Sequence, residues 1–262
     1  MSLNEAFVKS WTRPEERPFI RRCLDVVGTV VSDNRWRLTD FLTPREQYLC
    51  ESVVRREGAW VEWHGVIPNA ERKRGLVMPD NWYPTPDDFE TEILFARCAS
   101  GAALSHRATL GSLLGTGLER RKIGDVVIQD GGAYVVVCRD VAGFLLTEWT
   151  KAGRESLAVE RRRGPETWAA PEYQDVVISV SSLRLDGVVA QACHWSRSAA
   201  QAAVEKGYVQ LNFAVVDKPD MVVEPGDMLS IRGFGRVRVD EHLGESRKGR
   251  ERLRIGVLPS ER

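Results

Sequence analysis

The sequence predicts an α+β fold in three parts, and three observations point to it. A helical N-terminal stretch carries a capping signal at Thr43-Pro44-Arg45-Glu46, a central run alternates strand-helix-strand-strand-helix-strand, and a C-terminal run sets two short capped helices before several short strands. Breaks at Pro79, Pro84 and Pro86 and the composition beyond them divide the chain into residues 1–86, 87–175 and 176–262. The last part is expected to hold a compact core at 181–239, followed by a basic tail.

In the first part, Thr43 is placed to cap, Pro44 suits the first helical position and Glu46 completes a capping box. That helix is expected to run through Leu49, Val53 and Val54 and to stop near Gly58. Trp60-Val61-Glu62-Trp63 alternates as a strand does, and Pro68 to Arg74 reads as a polar, basic loop. In the central part, strands are expected at Thr91–Ala96, Asp125–Ile128, Ala133–Val137 and Ser156–Val159, with helices at Ser105–Leu114 and Val141–Trp149. Gln129-Asp130-Gly131-Gly132 is a hairpin signal between the middle pair. The order is βαββαβ, the arrangement of ferredoxin-like and RNA-recognition (RRM-like) folds, and it specifies an architecture rather than an activity.

The C-terminal part opens with a strand at Asp175–Val180. Ser182 is then expected to cap a helix with Leu185, Val188, Val189 and Ala192 on one face. Ser196 caps a second helix with Ala200, Ala203 and Val204 inward, and Gly207 ends it. Arg197 and Gln201, four residues apart, share the opposite face; Arg184 and Gln191 project likewise from the first helix. A helix start such as Ser196 offers backbone N–H groups to a phosphate. Spacing alone favours an ordinary solvated helix hairpin over a binding site.

Composition narrows the function. The 262 residues hold 37 Lys or Arg against 37 Asp or Glu, so any basic surface must come from local segregation of charge. From Ser105 to Arg163 there are ten basic and seven acidic residues, and from His242 to Arg254 five and two. At 43 % hydrophobic the chain can bury a core, and it contains no apolar run long enough to span a membrane. Met1 to Ser10 has no apolar run, so no secretory leader is expected. Five scattered cysteines without a CxxC pair argue against a disulfide framework or zinc ribbon and for a reducing cytoplasm.

Arg184-Leu185-Asp186, Ser196-Arg197, Gly207-Tyr208-Val209, Asn212, Lys218-Pro219 and Gly226-Asp227 resemble, in order and spacing, the RNA-binding domain named after ribosomal protein S4. Phe213 stands where many members have glycine. Nearly the whole chain resembles the YlmH family, which includes the cyanobacterial photosystem II S4-domain proteins. The resemblance rests on Asp40 to Glu46, Asn69 to Arg72, His106-Arg107 with Leu110-Gly111, Gly115-Thr116-Gly117, Arg120 to Asp125 and Arg232 to Arg236. It departs at Ala108 and Thr109, where many members carry an aspartate and an aromatic residue. The resemblance implies an RRM-like central domain, a C-terminal S4 domain and RNA binding at the ribosome. Partners would be ribosomal or transfer RNA and the large subunit, with a role around stalled subunits carrying peptidyl-tRNA. The expected RNA-binding residues are Arg184, Asp186, Ser196, Arg197, Gln201, Lys206, Asn212, Lys218, Arg232 and Arg236, with Arg238 a further backbone contact. Arg107, Arg120, Arg121 and Lys122 form a second candidate site.

No catalytic constellation, cofactor or metal site is expected. Arg232-Gly233-Phe234-Gly235-Arg236-Val237 mimics an RNA-recognition motif, but Arg236 and Val239 stand where its aromatics belong and it lies outside the βαββαβ run. Gly111 to Gly117 fits no nucleotide-cradle spacing. His64, His106, His194 and His242 are far apart, and the neighbours Cys193 and His194 point about 100° apart on a helix. Asp186 lacks the large following domain that a pseudouridine synthase carries. The leading expectation is a non-catalytic RNA-binding protein; the alternatives are an RNA-modifying enzyme that uses the S4 domain for targeting, or a protein–protein adaptor.

Overall fold

The computed structural model describes residues 13–79 and 82–260, in two compact units, Met1–Ala169 and Ala170–Arg262. The expectation for the first ten residues lies outside the described residues.

The first unit carries two sheets. Helix α1 (Arg17–Asp33) buries Ile20, Cys23, Val27 and Val30 along one stripe and stops at Asn34, whose φ of 51° is left-handed. Helix α2 (Pro44–Arg56) begins as its sequence predicts: Thr43 accepts the Glu46 N–H, and the Glu46 carboxylate accepts the Thr43 N–H at 2.8 Å. Its Leu49, Cys50, Val53 and Val54 share a core with the α1 stripe. Strands β1 (Arg37–Leu42), β2 (Trp60–His64) and β3 (Lys73–Met78) complete this part as an antiparallel sheet, ordered β1-β3-β2. The helical reading of this part did not include β1 or β3. Gly75 is required in β3, since a Cβ there would stand 2.6 Å from the ring of its register partner Trp63.

The second sheet follows the expected alternation: β4 (Thr91–Cys98), α3 (His106–Gly115), β5 (Ile123–Gln129), β6 (Gly132–Cys138), α4 (Arg139–Glu148), a short β7 (Lys151–Ala152) and β8 (Glu155–Arg161). Its order is β5-β6-β4-β8-β7, antiparallel throughout, so the first strand of the βαββαβ run lies between the third and the last. Asp130 and Gly131 both take positive φ, the turn that a two-residue hairpin needs. Helices α3 and α4 pack on one face, where Leu94, Leu113, Val135 and Leu145 are fully buried.

One cluster ties the two sheets together. The Asp125 carboxylate accepts the N–H groups of Glu71, at 2.7 Å, and Arg72, at 3.2 Å. The Arg72 guanidinium donates to the carbonyls of Ile123 and Phe41, at 3.0 and 2.8 Å. The blocks around Phe41, Arg72 and Asp125, remote in sequence, thus satisfy one another's buried polar groups.

In the second unit, β9 (Gln174–Val180) is followed by α5 (Leu185–Cys193) and α6 (Arg197–Glu205). Strands β10 (Val209–Leu211), β11 (Ala214–Val215), β12 (Met228–Ile231), β13 (Gly235–Glu245) and β14 (Glu251–Pro259) then complete a sheet ordered β11-β10-β12-β13-β14-β9. Both helices bury their apolar stripes on one face of it, against Leu229, Val237, Leu253 and Ile255. Ser182 does not cap α5. Arg184 is the N-cap residue, and the N–H groups of Leu185 and Asp186 are received by the carbonyls of Met221, at 2.8 Å, and Pro219, at 3.0 Å. A neighbouring loop thus does the work expected of a hydroxyl. Ser196 does cap α6, accepting the Ala199 N–H, and Gly207 leaves the helix at φ 69°.

The expected basic tail is instead structural. Strand β14 lies between β13 and β9, and its Leu253 and Ile255 are completely buried. A core ending at Val239 would lose both, together with Ile178 and Val180, and each buried aliphatic side chain contributes about 1.5–3 kcal/mol. A fragment spanning 170–262 is therefore expected to melt cooperatively by circular dichroism, and one spanning 181–239 is not. Matching melting curves would show the added strands to be dispensable.

Candidate nucleic-acid interface

Asp186 lies in the first turn of α5 and is 2 % exposed. Arg184 meets it with Nε and Nη2, at 3.2 and 3.3 Å, and Arg197, from the first turn of α6, does the same at 3.3 Å for both atoms. The Gly187 N–H adds a bond at 2.8 Å. Burial alone would push the Asp186 carboxyl up, but the hydrogen bonds and charges of the two arginines outweigh it and hold it below its ordinary value. The same contact raises Arg184 further, its bond to Asp186 being the main cause. Asp186, expected at the RNA surface, is therefore a buried anchor. It is saturated with donors, which makes it a poor base or nucleophile.

The two arginines are a different matter. Their side chains stay 41 % and 52 % exposed, and each guanidinium keeps Nη1 clear of the carboxylate. Two guanidinium groups share one buried carboxylate, with Asp220 a second negative charge near Arg184, and they stand beside the α6 N-terminus with its positive dipole end. This is a pre-oriented donor fork suited to phosphate. Around it, Ser196 and Gln201 are exposed on α6, although Gln201 bonds Glu205 at 2.8 Å, and Lys206 is exposed just past its end. Lys218 is exposed beside Pro219, whose carbonyl receives the Asp186 N–H.

Other candidates lie elsewhere. Arg236 and Arg238 alternate along β13 with the core residues Val237 and Val239, so they leave the sheet on the face opposite the helices. There, guanidinium groups stand over rings: Arg232 over Tyr208 at 5.1 Å, Arg236 over Phe213 at 5.9 Å and Arg238 over Tyr173 at 4.5 Å. Apart from Asp186, which is buried, and Asn212, the ten candidates thus divide between two faces. The three rings were missed, although the alternation of Tyr208, Val209, Gln210 and Leu211 signals that Tyr208 points outward. Asn212 is consumed by the fold: its amide donates to Asp227 at 2.7 Å and accepts the Met228 N–H at 2.9 Å. Asn212 and Phe213, both at positive φ, form the two-residue turn between β10 and β11.

In the first unit, Arg107 is exposed on α3, but the basic run beside it is committed to the fold. Arg120 turns back onto the carbonyls of Ile123 and Gly124, and burial, with Arg72 nearby, lowers it to about 10. Arg121 pairs with Glu119 at 2.8 Å and Asp40 at 3.4 Å, and Lys122 with Asp40 at 3.0 Å and Asp140 at 2.8 Å. The local excess of positive charge in the sequence is largely neutralised there.

Two family profiles match the chain: "Putative RNA-binding domain in YlmH" over residues 84–165, and the S4 domain over residues 183–229. Over 243 residues, 92 % of this chain and 95 % of the relative, the sequence is 36 % identical to the ribosome-associated protein quality control protein P2 of Bacillus subtilis (strain 168). The solved structure of the cell division protein ylmH from Streptococcus pneumoniae shares the fold. It covers 58 % of this chain and 93 % of its own, with a TM-score of 0.53 and 23 % identity. With that identity along nearly its whole length, and both profiles in the order that the two units display, the chain belongs to the YlmH family of S4-domain proteins.

Proposed function

We propose that this protein is a non-catalytic RNA-binding protein that works at the ribosome, gripping the backbone of ribosomal or transfer RNA with Arg184 and Arg197. The observation that carries the reading is the buried Asp186 carboxylate, which holds both guanidinium groups half-exposed and side by side. Two fixed forks suit recognition of a folded RNA by backbone and shape. The relative's name supports the ribosome as the setting, and the resemblance supports a large subunit carrying peptidyl-tRNA. The cytoplasm is the matching compartment, and no helix among the described residues is long and apolar enough to cross a membrane. Arg107, Arg232, Arg236 and Lys218 are secondary contacts in this reading, and the triad Arg120, Arg121 and Lys122 is scaffold.

Binding is expected to weaken as salt rises, with log K falling by roughly 0.7 for each phosphate neutralised in a single strand, used as a guide for folded RNA. In anisotropy titrations with a structured RNA, Arg197→Ala should cost about 1–3 kcal/mol of affinity and make the salt slope shallower. Arg197→Lys should recover little, because an ammonium cannot serve carboxylate and phosphate in two fork geometries at once. Arg197→Ala should also cost about 1 kcal/mol of stability, since Asp186 keeps Arg184. Unchanged affinity would remove Arg197 from the interface.

The Asp186 carboxyl sits below its ordinary 3.8 in the folded protein. A depressed carboxyl contributes stability above its unfolded value and loses it as pH falls through the folded one. The advantage of wild type over Asp186→Asn in urea melts should therefore be full near neutrality, begin to shrink near pH 3.8 and be gone only below the lowered folded value. An advantage that persists in acid would mean that the charge of Asp186 is not what holds the arginines.

A further inference from the structure

The face of the central sheet away from α3 and α4 is closed in two different ways. At one end Val136 and Cys138 pack against Phe41, in the ordinary manner of a core. At the other end stand Phe95 of β4 and Tyr134 of β6, cross-strand partners with ring centroids 4.7 Å apart, each 3 % exposed. What covers them is neither helix nor strand. Trp168 stands edge-on to Tyr134, with centroids 5.5 Å apart and planes at 73°, and the Arg162 guanidinium lies 4.2 Å over Phe95.

Both residues belong to the irregular segment 162–169 that follows β8 and closes the first unit. One side chain holds its far end: Gln129 donates to the Thr167 carbonyl at 2.9 Å and accepts the Ala169 N–H at 2.8 Å. The segment folds back at Gly164, where a Cβ would come within 2.5 Å of the Trp168 ring. Trp168 itself is only half-buried, and Arg161, Arg163, Glu166 and Thr167 are exposed. Lifting this strap would cost one backbone bond to the sheet, from the Arg162 N–H to the Ile93 carbonyl at 3.0 Å, and would uncover two rings on the central strands. Arg97, exposed on the same face of β4 as Phe95, and Arg161 to Arg163 border it.

We propose that Phe95 and Tyr134 form a stacking site for the bases of single-stranded RNA, and that Trp168 occupies the place of a base until RNA displaces the strap. An indole and a nucleobase present similar flat π-faces, so one can replace the other on the same rings, and such stacking tolerates any sequence. Arg162 and Arg163 of the strap would follow the phosphates once lifted, Arg162 leaving the Glu160 carboxylate that it pairs with at 3.1 Å. The inference rests on the RNA-binding reading above and adds to it a second, gated site of different chemistry.

The test uses the full chain, a fluorescent twelve-residue oligouridylate and a structured hairpin RNA. Trp168→Ala and Gln129→Ala should each tighten oligouridylate binding about tenfold. Adding Phe95→Leu with Tyr134→Leu should abolish the gain, and hairpin binding should change less than twofold throughout. In wild type carrying 5-fluorotryptophan, saturating oligouridylate should move the Trp168 fluorine resonance, assigned with Trp168→Phe, to its solvent-exposed position. That readout does not depend on any destabilised variant. An unmoved resonance, or strap variants that bind the oligomer no better than wild type, would overturn the site. If hairpin binding still collapses in Arg184→Ala/Arg197→Ala, this inference alone has failed; if it does not, the RNA-binding reading has failed with it.

Discussion

A buried carboxylate must be met by donors, and the way Asp186 is met organises the whole C-terminal unit. Its two oxygens receive two guanidinium forks and a backbone N–H, so the starts of two successive helices have to converge on one point. Arg184 can reach it only because α5 begins one residue later, with its first N–H groups handed to the loop at Pro219 and Met221. Arg197 can reach it only because Ser196 fixes the first turn of α6. The carboxylate is solvated by the groups it orients, and their remaining donors face water. A stability requirement and a donor geometry suited to phosphate are met by the same bonds.

The first unit solves a similar problem with the charges reversed. Arg72 is half-buried, and its guanidinium is satisfied mostly by backbone carbonyls, those of Ile123 and Phe41, while Asp125 holds the backbone on which Arg72 sits. Arg120 lies close by and is lowered by its burial first and by the Arg72 charge second. The blocks that carry the family resemblance in this half of the chain therefore read most directly as joinery between its two sheets. That explains why their arginines and lysine are poor candidates for RNA, although Arg120 to Lys122 is one of two runs of three basic residues in the central part of the sequence, with Arg161 to Arg163.

Legibility followed the range of the interaction. The Thr43 capping box, the Ser196 cap, the Asp130-Gly131 turn and the stop at Gly207 are local, and each formed where the sequence places it. Strands β1 and β3 were not legible, because short mixed runs become strands only when a partner is supplied from far away. Residues 242–254 read as a tail because their charges dominate, yet the Leu253-Arg254-Ile255 alternation buries every other side chain. At the site, Arg184 and Arg197 were found from pattern and resemblance, but the burial of Asp186 was not, since a carboxylate shows its partners only in three dimensions. Counting charge along the chain failed at Arg121 and Lys122 for the same reason: Asp40 and Asp140 arrive from other elements.

The central claim is that Asp186 works through the arginines it holds, and a double-mutant cycle on RNA affinity tests it most directly. The variants are Asp186→Asn, Arg184→Ala with Arg197→Ala, and all three changes together, each titrated against one structured RNA at fixed salt. If the carboxylate acts by positioning the forks, Asp186→Asn should weaken binding about tenfold in the wild-type background, corresponding to about 1.4 kcal/mol, and have no further effect once both arginines are gone. An Asp186→Asn effect of equal size in the two backgrounds, or tighter binding on losing the negative charge, would contradict the account.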